Sequence, residues 1–321
     1  MIIPVLLFAV GLVLLIKGGD WFVDGATGIA HRFNIPELLI GATVVSIGTT
    51  LPEVMVSATS AISGHGEIAY GNAIGSVICN TSLIAAITVA IRPTDVDPKT
   101  LKIPTLFFFI AAIFYASIAY TTGYFARWTG ILLLGLFVVY MFVNVKAVKK
   151  MPKVEIPADD TTVSNTMTKD IVLLVLGAAL IAVGAKLLVD NGTLIAAALG
   201  VPEAVIALTF VALGTSLPEL VTAISSLVKG HSSLSLGNII GANLFNLVLV
   251  SGMSVTLKPF TIPQDSMLCG KITSLVLDIP VMFAVMLILT LPALKRAKLS
   301  RVQGIILLLI YAAFCTIQFI I

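Results

Sequence analysis

Charge is what this 321-residue sequence lacks. Only 11% of its residues are Asp, Glu, Lys or Arg, against roughly 25% in an ordinary soluble domain. With so few charges the chain cannot cover itself with a water-facing surface, which excludes a soluble globular protein. The net charge of +3 offers no basic patch, so no nucleic-acid partner is expected. Cysteine is scarce too. Cys79, Cys269 and Cys315 lie apart in apolar segments without CxxC spacing, so they read as small packing residues rather than disulfides or a metal cluster. The N-terminus lacks a basic n-region and a small-residue cleavage site, which makes it a retained first helix rather than a leader. No Ser-His or Asp-Asp pair is placed for catalysis. An enzyme is therefore not expected, and neither a cofactor nor an obligate protein partner is implied.

Apolar types make up 58% of the chain. A membrane-spanning helix needs about 20 mainly apolar residues, and the apolar stretches fall at 4–30, 38–62, 68–91, 102–121, 127–147, 170–196, 203–228, 234–257, 271–292 and 302–320. The expectation is an all-α membrane protein of ten transmembrane helices. Lys and Arg sort strongly between alternate loops. Fourteen fall in one set: Arg32, Arg92, Lys99, Lys102, Lys146, Lys149, Lys150, Lys153, Lys169, Lys229, Lys295, Arg296, Lys298 and Arg301. The other set holds Arg127, Lys258 and Lys271. Basic loops stay in the cytoplasm, so the linker 148–169 is expected there and both termini on the outer side of the cell membrane.

Residues 18–80 align with 184–246 without a gap at an offset of 166, with 24 identities in 63 positions. Composition alone could make apolar helices alike. Here the matches are polar residues, Gly and Pro in register: Asp24/Asp190, Pro36-Glu37/Pro202-Glu203, Gly48-Thr49/Gly214-Thr215, Leu51-Pro52-Glu53/Leu217-Pro218-Glu219, His65/His231, Gly71-Asn72/Gly237-Asn238 and Asn80/Asn246. Each copy holds an odd number of spans, so the second enters the membrane from the opposite side. The chain reads as two inverted-topology five-helix repeats, 1–147 and 170–321. In such proteins a binding site lies near the midplane, between the halves, on interrupted helices.

Glu53 and Glu219 lie in the middle of the second and seventh spans. An ionised carboxylate at that depth is expensive unless it faces a cavity or has a partner. The cores of the second, third, seventh and eighth spans contain no basic residue to serve as one. Two carboxylates converging from symmetry-related helices would repel each other, and a hard divalent cation with oxygen ligands, such as Ca²⁺, removes that repulsion. Pro52 and Pro218 free the carbonyls of Gly48 and Gly214, which inside lipid must find another partner. Thr49 and Thr215 stand one helical turn before each Glu, on the same face. Their hydroxyls can join a coordination shell, or bond back to their own helix. Asn72, Ser76 and Asn80 share a face of the third span, as do Asn238, Ala242 and Asn246 of the eighth. The asparagines can line the cavity or join helices to one another. Gly71, Gly75, Gly237 and Gly241 permit close helix approach. Lys17, Asp20, Asp24, Lys186 and Asp190 read as snorkelling interfacial charges, and the corresponding His65 and His231 as turn residues. Asp278, in the ninth span, has no assignable partner.

The paired G-T-[ST]-L-P-E and G-N-x-I-G segments resemble the α-repeats of the Ca²⁺/cation antiporter superfamily, and within it the prokaryotic Na⁺/Ca²⁺ exchangers. The resemblance covers both repeats and so nearly the whole chain. It implies Ca²⁺ held between Glu53 and Glu219, with Thr49, Thr215 and the backbone carbonyls near Ser46 and Ala212 as ligands for Ca²⁺ or Na⁺. Thr50, Ser216 and Ser76 match Na⁺-ligand positions of the family, and Asn80 and Asn246 its polar positions on the third and eighth spans. The first and sixth spans are expected to slide across the core as a gate. Two departures stand out: some exchangers carry Asp where this chain has Asn246, and Ser76 is matched by Ala242. Both bear on Na⁺ stoichiometry and on the choice of Na⁺ over H⁺. A Ca²⁺/H⁺ antiporter of the same fold is the alternative. A passive cation channel is a distant one, since channels are built from parallel copies. The expected partners are the transported ions, Ca²⁺ with Na⁺ or H⁺, and the lipid bilayer.

Overall fold

The computed structural model describes residues 2–150, 166–199, 212–264, 267–268 and 270–320. Within them the helices follow the apolar stretches. They are α1 (Ile2–Arg32), α2 (Glu37–Ile62), α3 (Gly66–Ile91), α4 (Pro98–Thr121), α5 (Arg127–Lys150), α6 (Met167–Ala198), α7 in two pieces (Ala212–Thr215 and Leu217–Val228), α8 (Ser232–Leu257), α9 (Ser274–Arg296) and α10 (Arg301–Ile320). Among the described residues nine are long and apolar enough to cross a bilayer. The seventh, described from Ala212 onward, completes an all-α membrane protein of ten helices in two inverted five-helix repeats. Most of the linker, together with Glu203 and Cys269, lies outside the described residues. The fourth helix starts earlier than the apolar stretch. Asp97 accepts a hydrogen bond from the amide of Lys99 at 2.9 Å and Pro98 occupies the first turn, so a cap and a proline set the boundary ahead of the lysines.

The inversion is visible in the turns. The α2–α3 connection turns on Gly64 at φ +92°, and the α7–α8 connection on its copy Gly230 at φ +87°. The next amide, of His65 or His231, bonds to Ser60 O at 2.9 Å or to Ser226 O at 2.8 Å. A left-handed glycine closes both helices in the same way. Short strand pairs join loops of equal parity: Thr94–Asp95 with Lys298–Leu299, and Tyr124–Phe125 with Phe260–Thr261. The alternate loops therefore share faces, as ten crossings require.

Burial separates interior from periphery. The most apolar windows of α8 and α3 are 83% and 72% buried, whereas those of α1, α6 and α10 are 22%, 22% and 11% buried. The outer pair α1 and α6 crosses backbone to backbone: Gly11 lies against Gly184 and Gly18 against Gly177. A second close crossing joins α2 to α8, where a Cβ on Gly237 would collide with the Leu38 carbonyl, and one on Gly241 with Ala42 and Ser46. The mirrored neighbours of Gly71 and Gly75 fall at 204–212, mostly outside the described residues.

Several charges are better housed than their sequence suggested. Asp20 and Asp24 are not simply interfacial, because Lys229 Nζ donates to Asp24 Oδ1 at 2.7 Å and to the Asp20 carbonyl at 2.8 Å. Lys186 bonds Asp190 one turn away on exposed α6. Asp278 has a partner after all, since Gln318 Nε2 of α10 donates to it at 2.7 Å. His231 does more than turn the chain: its Nδ1 sits 2.8 Å from Glu37 Oε1, which His31 also approaches at 3.7 Å. The Glu37 carboxylate raises the His231 pKa.

Gly237→Val is expected to destabilise the protein by about 1–3 kcal/mol, the usual cost of overpacking. Thermal unfolding in detergent checks this, with the exposed Gly135→Ala as the neutral control. Because the His231 pKa is higher folded than unfolded, its pairing with Glu37 stabilises fully below about pH 6.5. The unfolding difference between wild type and Glu37→Gln is therefore expected to be largest there, and to fade as pH rises through the folded-state value of His231.

Candidate functional site

Two local irregularities shape the middle of α2. Residues Gly41–Val45 form a wide π turn, which leaves helix carbonyls without their usual partners. Tyr140 of α5 takes up one of them, donating to Ala42 O at 2.8 Å, while Ser46, whose amide bonds Gly41 O, also brings its Oγ within 2.9 Å of the Asn238 carbonyl in the other repeat. The helix then continues from Ser46 through Pro52 to Ile62. Its copy behaves differently. α7 breaks at Ser216, with φ −92° and ψ 4°, and restarts with Pro218 and Glu219 in the first turn of the new helix. The two glutamates are thus placed by different backbones. Glu53 sits inside a proline-bearing helix, and Glu219 at a helix N-terminus, where the peptide dipoles favour an anion.

On the facing helices the symmetry is closer. A π turn begins at Asn80 in α3 and at Asn246 in α8. Such turns widen a helix and recur at functional positions.

These elements bring the expected residues together in the interior. Glu53 and Glu219 are fully buried, and their carboxyl groups lie close enough to interact with one another across the two repeats. The Thr49 and Thr50 hydroxyls lie near the Glu219 carboxyl, whose two oxygens have no hydrogen-bond partner among the described residues. Around this pair lie buried polar atoms with no hydrogen-bond partner among the described residues: all four carboxylate oxygens, Thr50 Oγ1, Ser216 Oγ and both side-chain ends of Asn80 and Asn246. Buried polar groups in folded proteins are nearly always paired, so a cluster of orphans, mostly oxygens, marks a place built for something else. Ser76 is buried as well. Ala212 lies on the first piece of α7, beside the break.

Asn72 and Asn238 take a different position from that of the free-ended asparagines. Thr49 Oγ1 donates to Asn238 Oδ1 at 3.2 Å, and Thr215 Oγ1 to Asn72 Oδ1 at 3.2 Å. Each bond crosses between repeats, and each is the inverted image of the other. Asn72 is anchored further, since its Nδ2 donates to Ser57 Oγ at 2.8 Å and to Glu53 O at 3.3 Å. Ala223 replaces Ser57 in the second copy, and Asn238 Nδ2 has no partner there among the described residues.

Three neighbours of the site escaped sequence reasoning. Phe22 of α1 packs its ring over Gly48, and a cavity of about 10 Å³ lies there, lined by Phe22, Gly48, Thr49, Pro52 and Pro218. That is room for about one water. Cys79 Sγ accepts from Tyr311 Oη at 3.7 Å. Asn243 is held by Thr81 at 2.7 Å. Nothing in a one-dimensional pattern marks Phe22. Cys79 could have been suspected from standing next to Asn80.

The model for the family described as "Sodium/calcium exchanger protein" matches residues 3–146 and again residues 169–320. The chain belongs to this family. The exchanger is 31% identical over 98% of each chain to the sodium/calcium exchanger MaX1 of Methanosarcina acetivorans, and 35% identical over 89% of each to the inner membrane protein YrbG of Escherichia coli. Its fold superposes on a structure of the sodium-calcium exchanger NCX_Mj with a TM-score of 0.83 and 34% identity, covering 97% of both chains. The double match reflects the two halves. The family consists of antiporter-type transporters rather than enzymes, in agreement with the absence of a catalytic pair from the sequence.

An unsatisfied buried acceptor costs about 1–3 kcal/mol, and a charged one more. Glu219→Gln is therefore expected to raise unfolding stability in a metal-free chelating buffer and to abolish any further rise on adding Ca²⁺. Thermal denaturation of purified protein with and without Ca²⁺ measures both.

Proposed function

We propose that the exchanger is a secondary active antiporter that exports Ca²⁺ in exchange for Na⁺ by alternating access. In this reading Ca²⁺ is held between Glu53 and Glu219. The observation that carries it is the meeting of two buried carboxyl groups, one from each repeat, with no basic side chain among the described residues acting on them. Two negative charges balance one Ca²⁺, and oxygen donors suit it. Thr49, Thr215 and the carbonyls at Ser46 and Ala212 complete the shell. Thr50, Ser216 and Ser76 serve Na⁺, while Asn80 and Asn246 line the cavity. Asn72 and Asn238 support it.

The same oxygens can surround Na⁺ in place of Ca²⁺, so the two ions compete for one set of ligands. Moving the doubly charged cavity across the barrier with no cation is too costly, and that cost couples the two fluxes. α1 and α6 carry Phe22 and the glycine crossing, and their sliding over α2, α3, α7 and α8 opens the site to one side and then the other. The repeats extend over 1–147 and 170–321, with a cytoplasmic linker at 148–169. The distribution of Lys and Arg supports both termini lying on the outer side of the cell membrane. That NCX_Mj has been studied in Na⁺, Ca²⁺ and Sr²⁺ soaks supports ions of this class as the cargo.

The second reading, Ca²⁺/H⁺ exchange, is favoured by one feature: Asn at both 80 and 246 leaves the cavity with two carboxylates. Reconstituted vesicles separate the two. Ca²⁺ uptake is expected to require Na⁺ on the opposite side and to be abolished in Glu53→Gln and Glu219→Gln. Uptake driven equally by a pH gradient without Na⁺ would establish the second reading. Full flux in either glutamine variant would remove that residue from the site.

A further inference from the structure

Thr49 and Thr215 each have one hydroxyl proton, and where it points decides what the oxygen can do. Thr49 Oγ1 has Asn238 Oδ1 at 3.2 Å and, more distant, the Ser46 carbonyl of its own helix at 3.5 Å, with the Glu219 carboxyl also nearby. If its proton went to Glu219, the oxygen would already be engaged by the carboxylate. Directed to Asn238, it leaves the lone pairs facing Glu219, and two sets of lone pairs confront each other. That arrangement repels unless a cation lies between them. A carboxamide oxygen is an acceptor only, so Asn238 Oδ1 takes the proton and cannot return one. Thr215 meets the same partner in Asn72 Oδ1, also at 3.2 Å.

We propose that Asn238 and Asn72 are positioning residues which, each from the opposite repeat, accept the hydroxyl proton of Thr49 and Thr215 and so fix both hydroxyls as oxygen donors to the transported cation. The inference rests on the two-glutamate ion site proposed above and adds who orients its ligands. It also separates the asparagines into two kinds. Asn80 and Asn246 have both ends without a partner among the described residues, while Asn72 and Asn238 each hold a threonine. Asn72 is the firmer of the two. Ser57 and the Glu53 carbonyl take its Nδ2, which fixes the amide with its oxygen toward Thr215. Asn238 Nδ2 lacks such a partner among the described residues, so its amide is held less firmly than that of Asn72. The bonds also run between repeats: one repeat's ligand is aimed by the other, so the donor set is complete only when the halves are packed together.

The test is a double-mutant cycle on the Ca²⁺ concentration for half-maximal uptake in Na⁺-loaded vesicles, with Thr49→Val, Asn238→Leu and the pair. Losing a residue that orients a metal ligand commonly weakens affinity by about 10–100-fold. Asn238→Leu is expected to fall in that range, and the double variant to be no weaker than Thr49→Val alone. Thr49→Val combined with Asn72→Leu, which do not bond each other, is expected to multiply. Asn238→Asp keeps an acceptor oxygen in place and should retain wild-type or tighter affinity, which guards against a loss caused by misfolding. If Asn238→Asp and Asn238→Leu weaken Ca²⁺ equally, or if Thr49→Val and Asn238→Leu multiply, the positioning role is wrong while the ion site stands. If Thr49→Val leaves Ca²⁺ affinity unchanged, Thr49 is not a ligand, and its place in the ion site falls together with this inference.

Discussion

Two acids in a membrane interior with nothing basic beside them are the constraint around which this molecule is arranged. Glu53 and Glu219 are fully buried and face each other. Such a pair is tolerable only if something neutralises it, and neutralisation by the protein's own lysine or arginine would make it permanent. A permanent ion pair would be structure. In the proposed function the pair is left for a mobile cation, and the lack of basic residues in the four inner helices then matters as much as the glutamates themselves.

The surrounding backbone follows from the same constraint. A straight helix satisfies all of its own carbonyls and has none to offer. Here α2, α3 and α8 contain π turns, α7 is broken, and prolines precede both glutamates. Irregular backbone of this kind is tolerated at membrane depth only where protein or a water-lined cavity satisfies it. Tyr140 meets part of that need by bonding the Ala42 carbonyl. The close crossing of α2 and α8 at Gly237 and Gly241 lets these distorted stretches meet without intervening side chains.

Repetition makes the two halves alike, but the site is not symmetric. α2 is continuous where α7 breaks. Ser57 anchors Asn72, while Ala223 leaves Asn238 without the equivalent anchor, and Ser76 is matched by Ala242. A pseudo-two-fold frame can therefore supply two equivalent glutamates and still treat them unequally. In the proposed function the unequal treatment matters, because one site would serve a divalent ion and its monovalent competitors in turn.

Much of this was legible in the residue string. Low charge and ten apolar stretches implied the membrane; identities at an offset of 166 implied the inverted repeat; mid-span acids without basic partners implied a shared site. These readings need only composition, period and register, which are properties of a line. The contacts that refine the site are not. Thr49 and Asn238 are 189 positions apart, and Thr215 and Asn72 are 143 apart. No local pattern says which asparagine would be left open-ended and which would hold a threonine. The same holds for Asp278, which finds Gln318 on the last helix, for Phe22 over Gly48, and for the break at Ser216 where the first copy runs on. Sequence alone determined which groups enter the membrane and that two copies oppose each other. Tertiary structure alone decided which group meets which, because hydrogen bonds and close packing depend on distance in space, and inversion brings together residues that the chain keeps far apart.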